Sequence, residues 1–540
     1  MFALLRRLLS SSGADERPAP AGQLFATAQE LFVAGRLEPA RQACWELLTE
    51  QPEHADALWL LGKIATESDD LPEAEGFVAR AIELGPSVAK YRLTQGYLRQ
   101  VHGRLDEAAA CYHTALGIDE RYAEAWNNLG CVLQLQGRLA EAADSFRKAL
   151  DINPQLAQAN QNLGSISRDP LRLEAAADGY RKAIEDQPGD PNLRVDLGNT
   201  LRDQEEFDAA LAAFDAALAL RADHAEAHFS KALVLLLTGD LARGWEEYEW
   251  RWRREPVQRR FAVAEWNGQL LPDQPLLLHA EQGFGDTLQF IRYVPLAAQR
   301  CREVIVECQP ELRSLIAAMP GVVRCLAQGE ALPEIGAHLP LLSLPRIFKT
   351  TRETIPAEVP YLRPLPGKPD VWRAQLAGDG AGLRVGLCWA GRPEQWDNTS
   401  RSATLDFLAP LGALRGVSFY SLQKGPAALQ AAQPPAGMRL IDVSRELRDF
   451  SETAALISIL DLVITVDTSV AHLAGALGAP TWTMLSRIPD WRWLLHGERC
   501  PWYPSMRLFR QQRAGDWQAV ADQVAAALGD LISARTASES

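Results

Sequence analysis

"AEAWNNLGCVLQLQGRLAEAADSFRKALDINPQL", Ala123 to Leu156, is a sentence the chain writes more than once. Steps of 34 residues from it start further copies at Ala21, Ala55, Ala89, Ala157, Pro191 and Ala225. The eighth position then reads Ala28, Gly62, Gly96, Gly130, Gly164, Gly198 and Ala232. The twentieth reads Ala40, Ala74, Ala108, Ala142, Ala176, Ala210 and Gly244. Small residues at these two offsets let a pair of antiparallel helices approach closely. Pro52, Pro86, Pro154, Pro188 and Pro256, at the thirty-second position, end the second helix, because proline lacks the amide and clashes with the preceding turn. Gly35, Gly103, Gly137 and Gly239 separate the two helices of a copy.

This pattern resembles the tetratricopeptide repeat. The resemblance implies an α-solenoid of seven repeats over residues 21–258, with a concave groove that binds a protein segment. Asn127, Asn128, Asn160, Asn162 and Asn199 lie on the first helices and are the candidate groove residues; a plain polar helix surface is the alternative. The last copy departs from the pattern in "GWEEYEWRWRREPVQRR", where Trp245, Tyr248, Trp250 and Trp252 sit among five arginines and Arg251 replaces Leu or Ala. Those aromatics are expected to dock onto a following domain.

Bulk properties set limits. The chain has 540 residues, 47% hydrophobic and 23% charged, which is globular composition over several domains. A net charge of −14 argues against general nucleic-acid binding, which needs a basic footprint. The eight cysteines form no C-x-x-C pair and no zinc spacing, so reduced thiols, a cytoplasmic location and no metal site are expected. In residues 1–20, Arg6 and Arg7 interrupt the apolar stretch, which reads as a short helix or disordered leader and not a secretory signal. No run reaches the roughly 18–20 apolar residues of a membrane span.

Past Phe261 the period stops and strands alternate with helices, the pattern of parallel sheets. "PLLLHA", "EVIVECQ" and "HLPLLSL" read as strands of a small unit over 259–367. "LRVGLCWAG", "VSFYSLQK", "MRLIDVS" and "LDLVITVD" form a second series over 368–530, followed by a tail, 531–540. Open α/β sheets bind ligands beyond their strand C-termini. Four loops there carry chemistry. In "HAEQGFGDTLQF", Gly283 and Gly285 begin a dinucleotide fingerprint, but Leu288 occupies the third glycine position and the fingerprint fails. In "CWAGRPEQWDNTSRSAT", Trp389, Arg392 and Arg401 follow a strand, and an arginine can hold a phosphate or carboxylate. In "SLQKG", Lys424 stands at the sheet edge, either beside a phosphate or simply solvated. In "LVITVDTSVAHLAGALGAP", Asp467, Thr468 and Ser469 open a helix whose free amides suit an anion, with His472 in reach; simple N-capping is the alternative. Trp491, Trp493, Trp502 and Tyr503 either wall a pocket or form core.

Taken in order, "GFGD", "SLQKG" and "VDTSVAHLAGALG" resemble the bacterial heptosyltransferase-like glycosyltransferases, which have the GT-B fold of two Rossmann-like domains. With the repeats in front, the chain is similar to tetratricopeptide-repeat glycosyltransferases, a group that includes flagellin glycosyltransferases. The resemblance implies a soluble, inverting, metal-independent transferase without a cofactor, moving a sugar from a nucleotide sugar to a Ser/Thr hydroxyl of a protein. It implies Asp286 as the catalytic base, with Glu281 in reserve, and Trp389, Arg392, Arg401, Lys424, Asp467, Thr468, Ser469 and His472 on the donor side. A lipopolysaccharide or other surface-glycan transferase and a non-catalytic scaffold are the alternatives.

Overall fold

The computed structural model describes residues 21–539 apart from 69, 137, 154–155, 157–158, 160–161, 163–169, 255–260, 379–381 and 392–400. Two compact units emerge, Met1–Ala159 and Asn160–Ser540.

The first unit is a run of helix pairs: Ala21–Val33 with Leu37–Glu50, Ala55–Glu67 with Leu71–Leu84, Ala89–Val101 with Leu105–Ile118, and Ala123–Leu135 with Leu139–Ile152. The eighth-position glycines have a definite partner. A Cβ on Gly96 would lie 2.6 Å from the Tyr112 ring, and one on Gly130 would lie 2.6 Å from Phe146. Each ring comes from the twenty-fourth position of the same copy and fills the space the glycine leaves, at the density of a packed interior.

The second unit begins with the helices Pro170–Asp186, Pro191–Asp203, Phe207–Leu220, Ala225–Thr238 and Leu241–Tyr248. The later repeats thus belong to the same compact unit as the α/β part. Two parallel sheets follow. Strands β1 (Leu271–His279), β2 (Cys301–Cys308), β3 (Val322–Ala327) and β4 (Ala337–Pro340) lie in the order β3-β2-β1-β4. Strands β5 (Leu383–Cys388), β6 (Val417–Ser421), β7 (Leu440–Asp442), β8 (Leu462–Val466), β9 (Thr481–Leu485) and β10 (Met506–Arg510) lie in the order β10-β9-β8-β5-β6-β7. Every pairing between these strands is parallel, so all strand C-termini of a sheet share one edge.

Both sheets reverse direction once. The first grows from β1 to β2 and β3 on one side and places β4 on the other; the second grows from β5 to β6 and β7, then places β8 on β5's free side. Crevices at such switch points hold the ligands of open α/β sheets. The loop after β1 is "AEQG", leading into a helix that opens "FGD", and the segments after β5 and β8 begin "WAG" and "DTS".

One core runs from the last repeat across both sheets. Trp245 of the last repeat meets Trp491 edge-on at 5.3 Å, Phe290 at 6.1 Å and Trp502 at 6.3 Å, and Tyr248 meets Trp491 at 5.9 Å, so these two aromatics dock onto the α/β part, whereas Trp250 stacks on His228 within the repeat. The tail expected at 531–540 is corrected through Glu539: the last helix runs Trp517–Glu539. After β1 the helix Phe284–Phe290 gives way to a 3-10 turn, Ile291–Tyr293, and a short helix, Val294–Ala298, because Pro295 lacks the amide that would continue the ladder.

Candidate functional site

At the switch point of the second sheet, Gln423 stitches two strand ends together. Its Oε1 accepts from the amides of Trp389 (3.0 Å) and Ala390 (2.9 Å), and its Nε2 donates to the Ala390 carbonyl (2.9 Å). The Gly391 amide donates to Ser402 Oγ at 3.0 Å, which brings Arg401 over the sheet edge, 4.0 Å from the Asp467 carboxylate. Asp467 is 6% exposed, and burial pushes its carboxyl up to about 6, against the pull of Arg401.

That shift has a consequence for stability. Below about pH 4 the Asp467 carboxyl is protonated in both folded and unfolded chains and costs nothing. Between about pH 4 and 6 the folded chain keeps a proton that the unfolded chain releases, so stability falls as pH rises. Above about pH 6 the buried charge costs roughly 2–3 kcal/mol. Asp467→Asn is therefore expected to be more stable than wild type by about that amount at pH 7.5, with the gap closing toward pH 4 in denaturant melts. Acids held this way cluster at functional sites.

After Asp467 the helix Ser469–Ala476 opens. Thr468, its N-cap residue, makes no side-chain cap bond. Its Oγ1 lies 3.0 Å from Thr465 Oγ1 and 3.7 Å from Cys388 Sγ instead. N-capping by Thr468 is thus not what this threonine does, and among the described residues no side chain bonds to the first-turn amides of Ser469 and Val470.

From the first sheet, the loop after β1 enters the helix Phe284–Phe290, with Asp286 on its first turn reaching back to the N-cap residue. The Gly283 amide donates to Asp286 Oδ2 at 2.9 Å. Asp286 Oδ1 pairs with Arg492 from the loop after β9, and Arg492 also donates to Asp490 at 2.8 Å. Each carboxylate oxygen keeps a second lone pair, and the Asp286 side chain stays 17% exposed, so it retains room to accept a proton. Against the preceding residue, Gly285, lies His472, whose Nδ1 meets Tyr503 Oη at 2.9 Å and whose ring stacks on Trp493 at 5.0 Å. Burial holds His472 well below the ordinary histidine range, so it is neutral at pH 7. Gly285 makes this meeting possible: a Cβ there would lie 2.8 Å from His472 Cδ2. Gly285→Ala is expected to cost about 1–3 kcal/mol by overpacking against a ring that cannot turn away, which equilibrium unfolding checks.

The chain thus pairs Asp286 with Arg492, sets the neighbouring Gly285 against His472 and places Arg401 beside Asp467. Glu281 is a correction. Its side chain is 6% exposed and accepts from Arg251 Nε and Nη2, both at 2.9 Å, and from the Leu342 amide at 3.2 Å. Burial raises its carboxyl against Arg251's pull; it is a structural anchor and no reserve base. Trp389 is also corrected: it is fully buried in the second sheet's core and cannot stack on a ligand. Lys424 is exposed and donates to the Ser444 carbonyl at 2.8 Å. Trp491, Trp493, Trp502 and Tyr503 are core. Asn127 and Asn162 are buried, at 4% and 8% exposure, so neither is an open groove residue. Asn127 donates to Asn128 at 3.2 Å, and Asn199 accepts from Arg202 at 3.3 Å. Arg392 and Asn160 lie outside the described residues. Sequence reasoning missed Arg492 and Gln423. "DWRW" does place an arginine two residues after an acid, but its second partner, Asp286, is 206 positions away.

Comparison with known proteins agrees with this layout. Tetratricopeptide repeat models match residues 25–89, 123–156 and 195–249, and a TPR repeat model matches 102–137. The model of glycosyltransferase family 9 (heptosyltransferase) matches residues 436–511, which hold β7 to β10, Asp467, His472 and Arg492. The chain thus carries tetratricopeptide repeats followed by a stretch, 436–511, similar to glycosyltransferase family 9. Protein FlbA of Caulobacter vibrioides is 28% identical over 344 residues, 57% of this chain; the chain spans about half of that relative, 56% of its length. Among solved structures, YrrB, a TPR protein with an unusual peptide-binding site, is 23% identical, with a TM-score of 0.26 over 36% of this chain and all of its own. PilF of Pseudomonas aeruginosa is 21% identical, with a TM-score of 0.27 over 39% of this chain and 95% of its own.

Proposed function

We propose that this chain transfers a sugar from a nucleotide-sugar donor to a Ser/Thr hydroxyl of a protein carried by the repeats, flagellin being the leading candidate. The observation that carries the reading is the meeting of the helix after β1 with the loops of the second sheet: Asp286 pairs with Arg492, and its neighbour Gly285 packs against His472. In a GT-B layout that junction is where acceptor and donor meet.

Asp286 takes the acceptor hydroxyl's proton as that oxygen bonds to the anomeric carbon. The bond from that carbon to the donor phosphate breaks, and its electron pair leaves with the nucleotide. One such displacement inverts the anomer. The departing negative charge is met by Arg401, Lys424 and the first-turn amides of Ser469 and Val470, groups fixed before the reaction begins. With this much positive charge from the chain, the scheme assigns no divalent ion a role. Neutral His472 is a hydrogen-bonding partner for the donor and not a second cation.

The test is nucleotide release by the purified chain from UDP-, GDP-, ADP- and CMP-linked sugars, each offered with flagellin as acceptor. One donor is expected to release its nucleotide in step with a mass gain on the flagellin. Release without any gain on protein would count against the protein acceptor.

A further inference from the structure

The fifteenth position of each repeat is the turn between its two helices. Gly35, Gly103 and Gly239 occupy it with φ of 71°, 72° and 94°, the left-handed region that glycine tolerates. Glu205 occupies the same position with φ of 65°. A side chain is disfavoured there, and such an outlier points to function. Glu205 faces Arg487 as a two-pronged fork, Oε1 to Nε at 2.7 Å and Oε2 to Nη2 at 2.8 Å. Arg487 stands in the loop after β9, five residues before Arg492.

The other loop is held in the same manner. Arg251, just past the last repeat's second helix, forks onto Glu281, and Gln282 Nε2 lies 3.4 Å from Tyr248 Oη. Glu281 is five residues before Asp286. The array therefore touches both loops that supply the Asp286–Arg492 pair, each at the same sequence distance from it.

We propose that the last two repeats form a brace that sets the spacing of these loops, with Glu205 and Arg251 as positioning residues; this rests on the reading of Asp286 and Arg492 as the reacting site. The two arms differ in strength. Arg251 and Glu281 are 5% and 6% exposed, a permanent anchor. Glu205 and Arg487 are 31% and 41% exposed, so that arm is screened by salt and can release. A protein seated on the repeats would thereby bias the order of the loop that carries Arg492.

The test is hydrogen–deuterium exchange of the full chain over residues 281–288 and 486–493. Glu205→Gly gives the turn the residue it prefers, so the melting temperature is expected to hold or rise. Exchange over 486–493 is nevertheless expected to rise about two- to fivefold, the range an exposed ion pair supports. About 0.5 M NaCl should do the same to wild type. The exchanged pair, Glu205→Arg with Arg487→Glu, should restore protection. Unchanged exchange in Glu205→Gly, or an exchanged pair as loose as the single variant, overturns the brace. Because exchange needs no substrate, a failed transferase assay would leave this result readable, and a failed brace would leave the assignment of Asp286 untouched.

Discussion

Asp286→Asn is expected to lower sugar transfer by about 10²–10⁴-fold, the usual contribution of a positioned general base. The side-chain amide keeps the shape and its oxygen can still accept from the Gly283 amide, so that bond at the helix start survives. What is lost is the lone pair that takes the acceptor proton. Arg492 loses one partner but keeps Asp490 at 2.8 Å, so the fold is not left with an isolated buried charge. Donor binding is expected to change little, because the second sheet supplies it. Initial rates and nucleotide titration separate the two: a fall in turnover with retained nucleotide affinity is the expected pattern. Asp490→Asn is the control. It removes Arg492's other partner without removing the base, and should disturb rate far less than Asp286→Asn. If the two variants were equally impaired, Asp286 would be no more than the end of an ion-pair chain.

Arg251→Ala is expected to lose about 3–5 kcal/mol, since it strands the Glu281 carboxylate in a site that is 6% exposed. The loss has a pH signature. Burial already raises the Glu281 carboxyl, and removing the guanidinium raises it further. The folded variant then keeps its proton over a wider pH range. Its deficit is full above that raised value and shrinks as pH falls through it. Arg251→Met combined with Glu281→Leu removes both charges, keeps the volume and should regain most of the stability. Denaturant melts of the three proteins at two pH values decide this. A small, pH-independent loss in Arg251→Ala would mean that water reaches the pair and that the last repeat does not anchor the catalytic loop.

The array was legible because its rule is local. Two small residues and a proline at fixed offsets dictate how a helix pair packs, and every copy repeats them. The aromatic that fills each gap, Tyr112 on Gly96 or Phe146 on Gly130, follows from the same geometry once the eighth position is seen as a socket. Strands β1, β2, β5, β6 and β8 could be read as buried apolar runs. The edge strands β3 and β10 carry Arg324, Arg507 and Arg510, and β9 carries two threonines, so neither alternation nor a continuous apolar run marks them.

The site was legible where a residue follows a strand directly, as Asp467 does, or stands on the first helix turn, as Asp286 and His472 do. It was not legible where long-range contacts decide. Glu281 and Asp286 are acids five residues apart after one strand, and only Arg251 and Arg492, 30 and 206 positions away, tell anchor from candidate base. The unusual Arg251 in the last copy was visible in the sequence; its partner was not. Trp389 looked like a ligand platform because it sits beside a glycine loop, yet the side chain points into the sheet's core.

The most direct test of the central claim is intact-mass spectrometry of exported proteins from cells carrying either the wild-type chain or Asp286→Asn at equal levels. At least one protein is expected to carry a fixed sugar-sized mass increment with wild type and to lose it with Asp286→Asn. Identical masses in the two strains would contradict transfer to protein through Asp286.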